Sequence, residues 1–128
     1  MDLKDYFEKT RGTGVLATAD KAGRPNAAIY SRPHFFEDGT VGFITRQRLT
    51  HANLGENPHA CYLFIEAGQG FHGRRLYLTK IAEETETERL YRLKRRETSP
   101  ETDAEKGPKY LVIFRLDKEL PLIGAKEE

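Results

Sequence analysis

The chain has 128 residues and a mass of 14.7 kDa, and 38% of its residues are hydrophobic. That length suits one domain with a normal core, so we expect residues 1–128 to form a single domain. The net charge of +1 predicts no long-range attraction to nucleic acid. A membrane helix requires an apolar run of roughly 20 residues, and the sequence has none. It also has no secretory signal pattern. We therefore expect a cytoplasmic protein with no membrane partner.

The first half of the sequence predicts a short helix followed by three strands. Asp2 can cap the helix, and Gly12 is placed to end it. Pro33 interrupts the second strand, because proline cannot donate to a strand ladder, and this indicates a bulge or an edge. Three successive antiparallel strands predict a meander. The strands are Gly14–Ala19, Asn26–Phe36 and Thr40–Thr45.

The second half predicts three more strands and two helices. The helices are Leu49–Leu54 and Thr85–Arg96, and the strands are Ala60–Ile65, Arg75–Ala82 and Tyr110–Leu116. Lys80 and Ile81 break the alternation of the fifth strand. We interpret the basic run Arg92–Arg96 as a solvated helix face, because several glutamates precede it and no aromatic platform accompanies it. The polar stretch Thr98–Pro108 is typical of a loop.

Six strands with few helices between them favour a mainly β fold with short helices, organised as a small antiparallel barrel. The strands Ala60–Ile65 and Tyr110–Leu116 are apolar nearly throughout, and Leu120–Ile123 forms an apolar tail. Such a pattern predicts that an outer face is covered. In a chain of this size a second copy covers it most simply, so we expect a homodimer.

Several kinds of chemistry lack the residues they need. The four histidines are not spaced as metal ligands, and we predict no metal site. Cys61 lies in an apolar strand, where a thiol behaves as a small hydrophobe. Neither Ser31 nor Ser99 stands in a nucleophile-elbow pattern. The glycine-rich stretch Gly68–Gly73 is followed by a strand rather than a helix, which favours a hairpin loop over a phosphate loop.

The stretch Thr45–Leu54 leaves a strand, presents two arginines and a hydroxyl, and then enters a helix. Arg46 and Arg48 can grip a phosphate, and Thr50 near the helix start can donate its hydroxyl beside free backbone amides. The alternative is a pair of solvated arginines, which is common on protein surfaces. The residue types therefore make this turn a candidate anion site.

The order of these segments resembles the pyridoxamine 5'-phosphate oxidase-like family of FMN-binding split barrels. The resemblance covers roughly Tyr6 to Ala82, and its most specific part is Asn53–Pro58 at the end of the short helix. It implies a six-stranded antiparallel split β-barrel, FMN as the cofactor, a homodimer with FMN at its interface, and a flavin-dependent oxidoreductase acting on an unidentified small molecule.

The resemblance also implies cofactor-binding positions. The flavin ring would lie against the second and third strands, and the partner subunit would contribute from the region of Arg74. The phosphate would fall on the basic turn. In full, the implied residues are Ala28, Ile29, Tyr30, Ser31, Arg32, Phe43, Ile44, Thr45, Arg46, Arg48, Leu49, Thr50 and Arg74. Arg32 or Arg74 would supply positive charge near the ring.

The chain departs from the family pattern at three positions. The oxidases usually place a basic pair where this chain has Leu49 and Thr50, and an arginine where it has Ala28. We expect Arg48 to substitute for the missing charge, so FMN binding is expected while pyridoxamine 5'-phosphate oxidase activity is not. We assign no catalytic residue. The competing hypothesis is a cofactor-free small barrel that acts as a ligand-binding or interaction module.

Overall fold

The computed structural model describes residues 2–97 and 108–124, except for the side chains of residues 94–97. Within this part the chain forms three helices and seven strands. They are α1 (Leu3–Lys9), β1 (Gly12–Ala19), β2 (Pro25–Tyr30), β3 (His34–Phe35), β4 (Val41–Arg46), α2 (Leu49–Glu56), β5 (His59–Glu66), β6 (Gly73–Glu84), α3 (Glu88–Glu97) and β7 (Lys109–Pro121).

The strands form one antiparallel sheet in the order β2-β1-β5-β6-β7-β4-β3. The sheet curls around an aromatic core into a split β-barrel, so the predicted mainly β fold is confirmed. The described strands number seven rather than six, because the predicted second strand is divided at Pro33 into β2 and β3. These two short strands are the edges of the sheet, as the position of the proline indicated.

The predicted meander is present in its two successive pairings but is not continuous. Among the described strands, β2 pairs with β1 alone, whereas β4 pairs with β3 and β7. Three strands separate β1 from β4 in the sheet. The reason is the break at residues 31–33, where the chain stops pairing with β1 and passes to the opposite edge. The gap between these edges is the split in the barrel.

A tyrosine in the core fixes the end of β2. Tyr62 is fully buried, and its hydroxyl donates to the main-chain oxygen of Ser31 at 3.1 Å. Gly14 lies directly beneath that hydroxyl, and a Cβ atom there would overlap it. Burial raises the pKa of the Tyr62 phenol, so the group stays a neutral donor. The core thus sets where the edge strand ends.

Helix α3 covers the outer face of β7. Leu90 and Leu93 are 2% and 6% exposed and pack against Leu111 and Ile113. The apolar character of β7 on both faces therefore has a cause within one chain, and a second copy is not needed to explain it. On β5 the situation differs, since Leu63 and its neighbours on the outer face are only half-buried.

Smaller differences from the predicted elements have local causes. Helix α1 ends at Lys9, and Gly12 instead opens β1, where a Cβ atom would overlap the main chain of Ile65. The break in alternation at Lys80 and Ile81 corresponds to a register shift in β6. Residues 98–107 of the predicted loop lie outside the described residues. In the part of the chain that the structure describes, no helix has the length and apolarity to span a membrane.

Candidate functional site

A cavity of about 420 Å³ lies in the split of the barrel, between β2, the end of β4 and the start of α2; we call it the β4–α2 cavity. Its volume is within the range of about 300–1,000 Å³ typical of small-molecule sites. Strand β7 contributes its first residue. The lining residues are Asn26, Ala28, Ile29, Tyr30, Ser31, Ile44, Arg46, Arg48, Leu49, Thr50 and Lys109.

Strand alternation decides which β4 side chains reach the cavity. Ile44 and Arg46 line it, whereas Phe43 and Thr45 point into the barrel and are 2% and 1% exposed. The ring centroids of Phe43 and Tyr62 are 4.9 Å apart. Only the main chain of Phe43 and Thr45 is therefore placed to contact a ligand in this cavity.

Three basic residues line the β4–α2 cavity. They are Arg46, Arg48 and Lys109. Lys109 is opposite Arg46 in the β4–β7 ladder, so the two side chains lie on the same face of the sheet. Arginine and lysine are the residue types that bind phosphate groups.

The start of α2 adds uncharged donors. Arg48 is the N-cap residue and makes no side-chain cap hydrogen bond, so the first-turn amides of α2 receive no side-chain partner from it. Thr50 is 3% exposed, and its hydroxyl forms a hydrogen bond with the Tyr30 phenol. Burial raises the pKa of Tyr30, although Thr50 and the charge of Arg48 oppose the shift. The positive charge of Arg48 therefore acts on the Tyr30 phenol at this end of the cavity.

Polar contacts fix α2 against the sheet. Asn53 donates to the Thr18 hydroxyl at 3.1 Å, and Asn57 donates to the main-chain oxygen of Asp20 at 3.4 Å. His51 stacks on the Tyr110 ring at 3.9 Å and contacts the Glu83 carboxylate at 3.0 Å. The distinctive segment Asn53–Pro58 thus acts structurally, by holding the helix whose first turn borders the cavity.

A second cavity, of about 550 Å³, lies between α1, the β2–β3 connection and α3; we call it the α1–α3 cavity. Ser31 lines both cavities, whereas Arg32 lines only this one. The Arg32 guanidinium donates to the main-chain oxygens of Phe7 and Thr10, both at 3.0 Å. Arg32 therefore braces α1 against the end of β2 rather than pointing into the β4–α2 cavity.

Arg74 lies apart from both cavities. It borders a groove of about 400 Å³ beside Phe71 and Ile123, and it pairs with Glu119 at 3.0 Å. Its guanidinium also lies over the Tyr6 ring, 4.4 Å from the centroid. Within one chain Arg74 does not line the cavity that holds the predicted phosphate-binding residues.

The structure therefore brings most of the predicted positions together and separates four of them. Asn26 and Lys109 line the cavity but were missed by the sequence analysis. Lys109 directly precedes the predicted strand Tyr110–Leu116, yet only the pairing of β7 with β4 reveals where it lies. The predicted residues that line the cavity are Ala28, Ile29, Tyr30, Ser31, Ile44, Arg46, Arg48, Leu49 and Thr50, and those that do not are Arg32, Phe43, Thr45 and Arg74.

The fold is that of a small antiparallel split β-barrel with a basic cavity in its split. Residues 3–119 match the family described as pyridoxamine 5'-phosphate oxidase, and the chain belongs to that family. The resemblance seen in the sequence is confirmed. No protein with a curated description matches the chain.

Solved structures share the fold. An FMN-binding protein from Syntrophomonas wolfei is 23% identical, with a TM-score of 0.79 over 96% of this chain and 85% of that one. An F420 reductase is 14% identical, with a TM-score of 0.72 over 93% and 97% of the two chains. HupZ of Group A Streptococcus is 20% identical, with a TM-score of 0.71 over 96% and 93%. At these identities the similarity establishes the fold.

Proposed function

We propose that this protein binds FMN in the β4–α2 cavity and serves as a flavin-dependent oxidoreductase for a small molecule. The observation that carries the proposal is the lining of the cavity, where three basic side chains and an apolar wall come together. FMN has the matching chemistry, with a phosphate at one end and a flat ring system at the other. Family membership and the FMN-binding protein of similar fold support it.

The phosphate end fits the donors at the β4–α2 turn. Arg46 and Arg48 would form charge-assisted hydrogen bonds with the phosphate oxygens. Thr50 would donate its buried hydroxyl, and the main-chain amide of Leu49 would add a further donor at the start of the helix. This arrangement does not need the basic pair that the family oxidases place at Leu49 and Thr50.

The ring end fits the edge strand β2. Because β2 has β1 as its one neighbour among the described strands, its other edge presents main-chain N–H and C=O groups to the cavity. Those groups at Ala28–Ser31 would hydrogen-bond the polar edge of the ring. The side chains of Ile29 and Ile44 would cover its apolar part.

A bound flavin would supply the redox chemistry, and the chain would position it and its substrate. Ser31 lines both cavities, so a molecule in the α1–α3 cavity would lie next to the ring end of the β4–α2 cavity. The F420 reductase of similar fold supports an oxidoreductase role. In this proposal Arg32 orients the end of β2 through its hydrogen bonds to α1.

We also propose that the protein is a homodimer with FMN at the interface. Ile29 and Leu49, at the mouth of the cavity, are 71% and 57% exposed, and a second copy would bury both. The half-buried outer face of β5 would extend the same surface. Arg74 would reach the cofactor only from the partner subunit. Light scattering at micromolar concentration checks this, and a strictly monomeric mass with FMN bound would contradict it.

The alternative function is a cofactor-free barrel that binds another ligand or a protein. The two functions differ in colour and in flavin affinity. Purified protein that shows flavin absorbance, or that binds added FMN at roughly micromolar concentration, supports the FMN proposal. Colourless protein that does not bind added FMN supports the alternative.

A further inference from the structure

We propose that His51 is a positioning residue for the cofactor site. It holds the first turn of α2 against β6 and β7, and thereby keeps Thr50 at the β4–α2 cavity. This inference rests on the proposed function and deepens it, because it names a residue outside the cavity on which FMN affinity depends. His51 directly follows Thr50 in the chain, but it does not belong to the described lining of the cavity.

The imidazole of His51 joins three elements of the fold. Its ring is stacked on the Tyr110 ring of β7, with the centroids 3.9 Å apart and an angle of 11° between the planes. Its Nε2 atom lies 3.0 Å from Oε1 of Glu83 on β6. The His51 side chain is 20% exposed. We call these three residues the His51 clamp, and they connect α2 to both strands.

The two partners of His51 are themselves fixed by the sheet. Glu83 lies in the β6–β7 ladder, and its Oε1 atom also accepts from the Lys80 ammonium at 3.0 Å. Tyr110 is opposite Thr45 in the β4–β7 ladder and packs against the main core. His51 therefore contacts side chains that have defined positions, and it can transmit those positions to the start of α2.

Helix α2 depends on such contacts, because it buries little apolar surface. Leu54 is the apolar member of its three buried side chains, and a helix of eight residues is marginal without tertiary contacts. The described contacts of Asn53 and Asn57 hold the middle and the end of the helix against the region of β1. In the first turn Thr50 contacts β2 at the cavity, whereas His51 contacts β6 and β7. The clamp is thus the described link between the first turn and the far side of the sheet.

The order of the first turn affects how tightly a ligand binds there. A ligand that binds one arrangement of the turn loses affinity in proportion to the fraction of molecules that lack that arrangement. In the proposed function FMN contacts this turn through its phosphate, whereas riboflavin has the same ring and no phosphate. FMN affinity should therefore depend on the His51 clamp more strongly than riboflavin affinity does.

The test compares the wild-type protein with His51→Ala and His51→Gln in titrations with FMN and riboflavin, followed by flavin fluorescence. His51→Ala should weaken FMN binding by roughly three- to tenfold and riboflavin binding by less than about twofold. His51→Gln, whose amide can still donate to Glu83, should restore most of the FMN affinity. His59→Ala is the matched control and should change neither affinity, because His59 is an exposed histidine that contacts Thr79 of β6 outside the cavity.

Amide hydrogen exchange tests the clamp without any ligand. The Ala52 amide donates to the Arg48 carbonyl at 3.0 Å and closes the first turn of α2. Its exchange should be faster in His51→Ala than in the wild-type protein, because the turn opens more often. His51→Gln should restore most of the protection, and His59→Ala should leave it unchanged.

A double variant tests whether Glu83 acts through His51. Glu83→Ala should weaken FMN binding in the wild-type background and have little further effect in the His51→Ala background, because coupled residues are not additive. Losses that add up fully would mean that the two residues act independently, and would overturn the clamp. If His51→Ala does not fold, Glu83→Ala provides the same comparison of FMN with riboflavin, since it removes the contact from the β6 side.

The remaining outcomes separate this inference from the proposed function. Unchanged FMN affinity in His51→Ala, with wild-type FMN binding intact, would overturn the inference and leave the proposed function standing. Equal losses of FMN and riboflavin, or no rescue by His51→Gln, would give His51 a general structural role only. Wild-type protein that binds neither flavin would overturn the proposed function together with this inference, whatever the exchange rate of Ala52.

Discussion

The β4–α2 cavity and the α1–α3 cavity are both rich in cations, but their charge is arranged differently. In the α1–α3 cavity Glu8 joins the lining, and Arg89 is paired with Glu84 while it stacks 4.2 Å from the Phe36 ring centroid. In the β4–α2 cavity the described lining holds Arg46, Arg48 and Lys109 and no carboxylate. The cations of the two cavities are thus carried by different elements, with paired strands and a helix start in one cavity and two helices and a strand connection in the other.

The two cavities also differ in how they are built. The β4–α2 cavity is framed by paired strands and the first turn of a helix that Asn53 fixes to the sheet. The α1–α3 cavity is walled by two helices, which are joined to the sheet mainly through apolar contacts such as those of Leu93. Rigid strands hold charges at a fixed spacing, which a phosphate site requires. Substitutions in the two cavities should therefore have different consequences.

The largest expected effect is on stability and comes from the α1–α3 side. Leu93→Ala removes a buried side chain and should lower the free energy of unfolding by about 2–5 kcal/mol, as measured by urea denaturation. The FMN affinity of the folded variant should stay within about twofold of the wild-type value. A large loss of FMN affinity in folded Leu93→Ala would mean that the cofactor occupies the α1–α3 cavity.

The next effect is on phosphate recognition. Arg48→Ala should weaken FMN binding by about 1.5–3 kcal/mol, because it removes a charge-assisted hydrogen bond, and should change riboflavin binding much less. Arg92→Ala is the matched control, since Arg92 is an exposed arginine of the α1–α3 cavity. Titration with both flavins checks the prediction. Equal losses for FMN and riboflavin would contradict a phosphate contact of Arg48. A larger loss in the control would place the FMN phosphate in the α1–α3 cavity.

A smaller loss of FMN affinity is expected when the Thr50 hydroxyl is removed. Thr50→Ala removes a neutral donor and should weaken FMN binding by about 0.5–1.5 kcal/mol, with little effect on riboflavin. Thr50→Ser, which keeps the hydroxyl, should restore most of the affinity. If the serine variant binds FMN as weakly as the alanine variant, the Thr50 hydroxyl does not contact the phosphate.

The smallest effect is on the pH dependence of stability and concerns Glu83, which contacts His51 of α2. Although burial acts to raise it, hydrogen bonds from His51 and Lys80 hold the pKa of Glu83 below its usual value of 4.5. A lowered pKa contributes stability that is present above pH 4.5 and is lost as the pH falls through the folded pKa. Glu83→Gln should therefore reduce the stability that is lost on going to acidic pH, by less than about 1 kcal/mol. Thermal melts from pH 6 to pH 3 measure it, and parallel wild-type and variant curves would contradict it.

The sequence predicted the elements better than their arrangement. Alternation and turn residues located the major strands, and the arginines and hydroxyl of Thr45–Leu54 located the basic turn, in agreement with the family resemblance. Both pairings of the meander were predicted, but hydrophobic alternation cannot tell that β2 and β3 lie at opposite edges of the sheet. The division at Pro33 was visible as an interruption, but its consequence, a change of pairing partner, depends on contacts far away in the chain.

The candidate site divides in the same way. Arg46, Arg48 and Thr50 are near one another in sequence and were predicted to act together, and all three line one cavity. Lys109 was missed because it joins them only through the β4–β7 ladder. Arg32 was predicted to face the ring, but the main-chain oxygens of α1 hold its guanidinium, and such a contact leaves no periodic pattern in a sequence.

Titration of the purified wild-type protein with FMN and with riboflavin tests the central claim most directly. If the β4–α2 cavity holds the FMN phosphate, FMN should bind at micromolar concentration or tighter, and riboflavin should bind at least about tenfold more weakly. Equal affinities for the two flavins, or no binding of FMN, would contradict it.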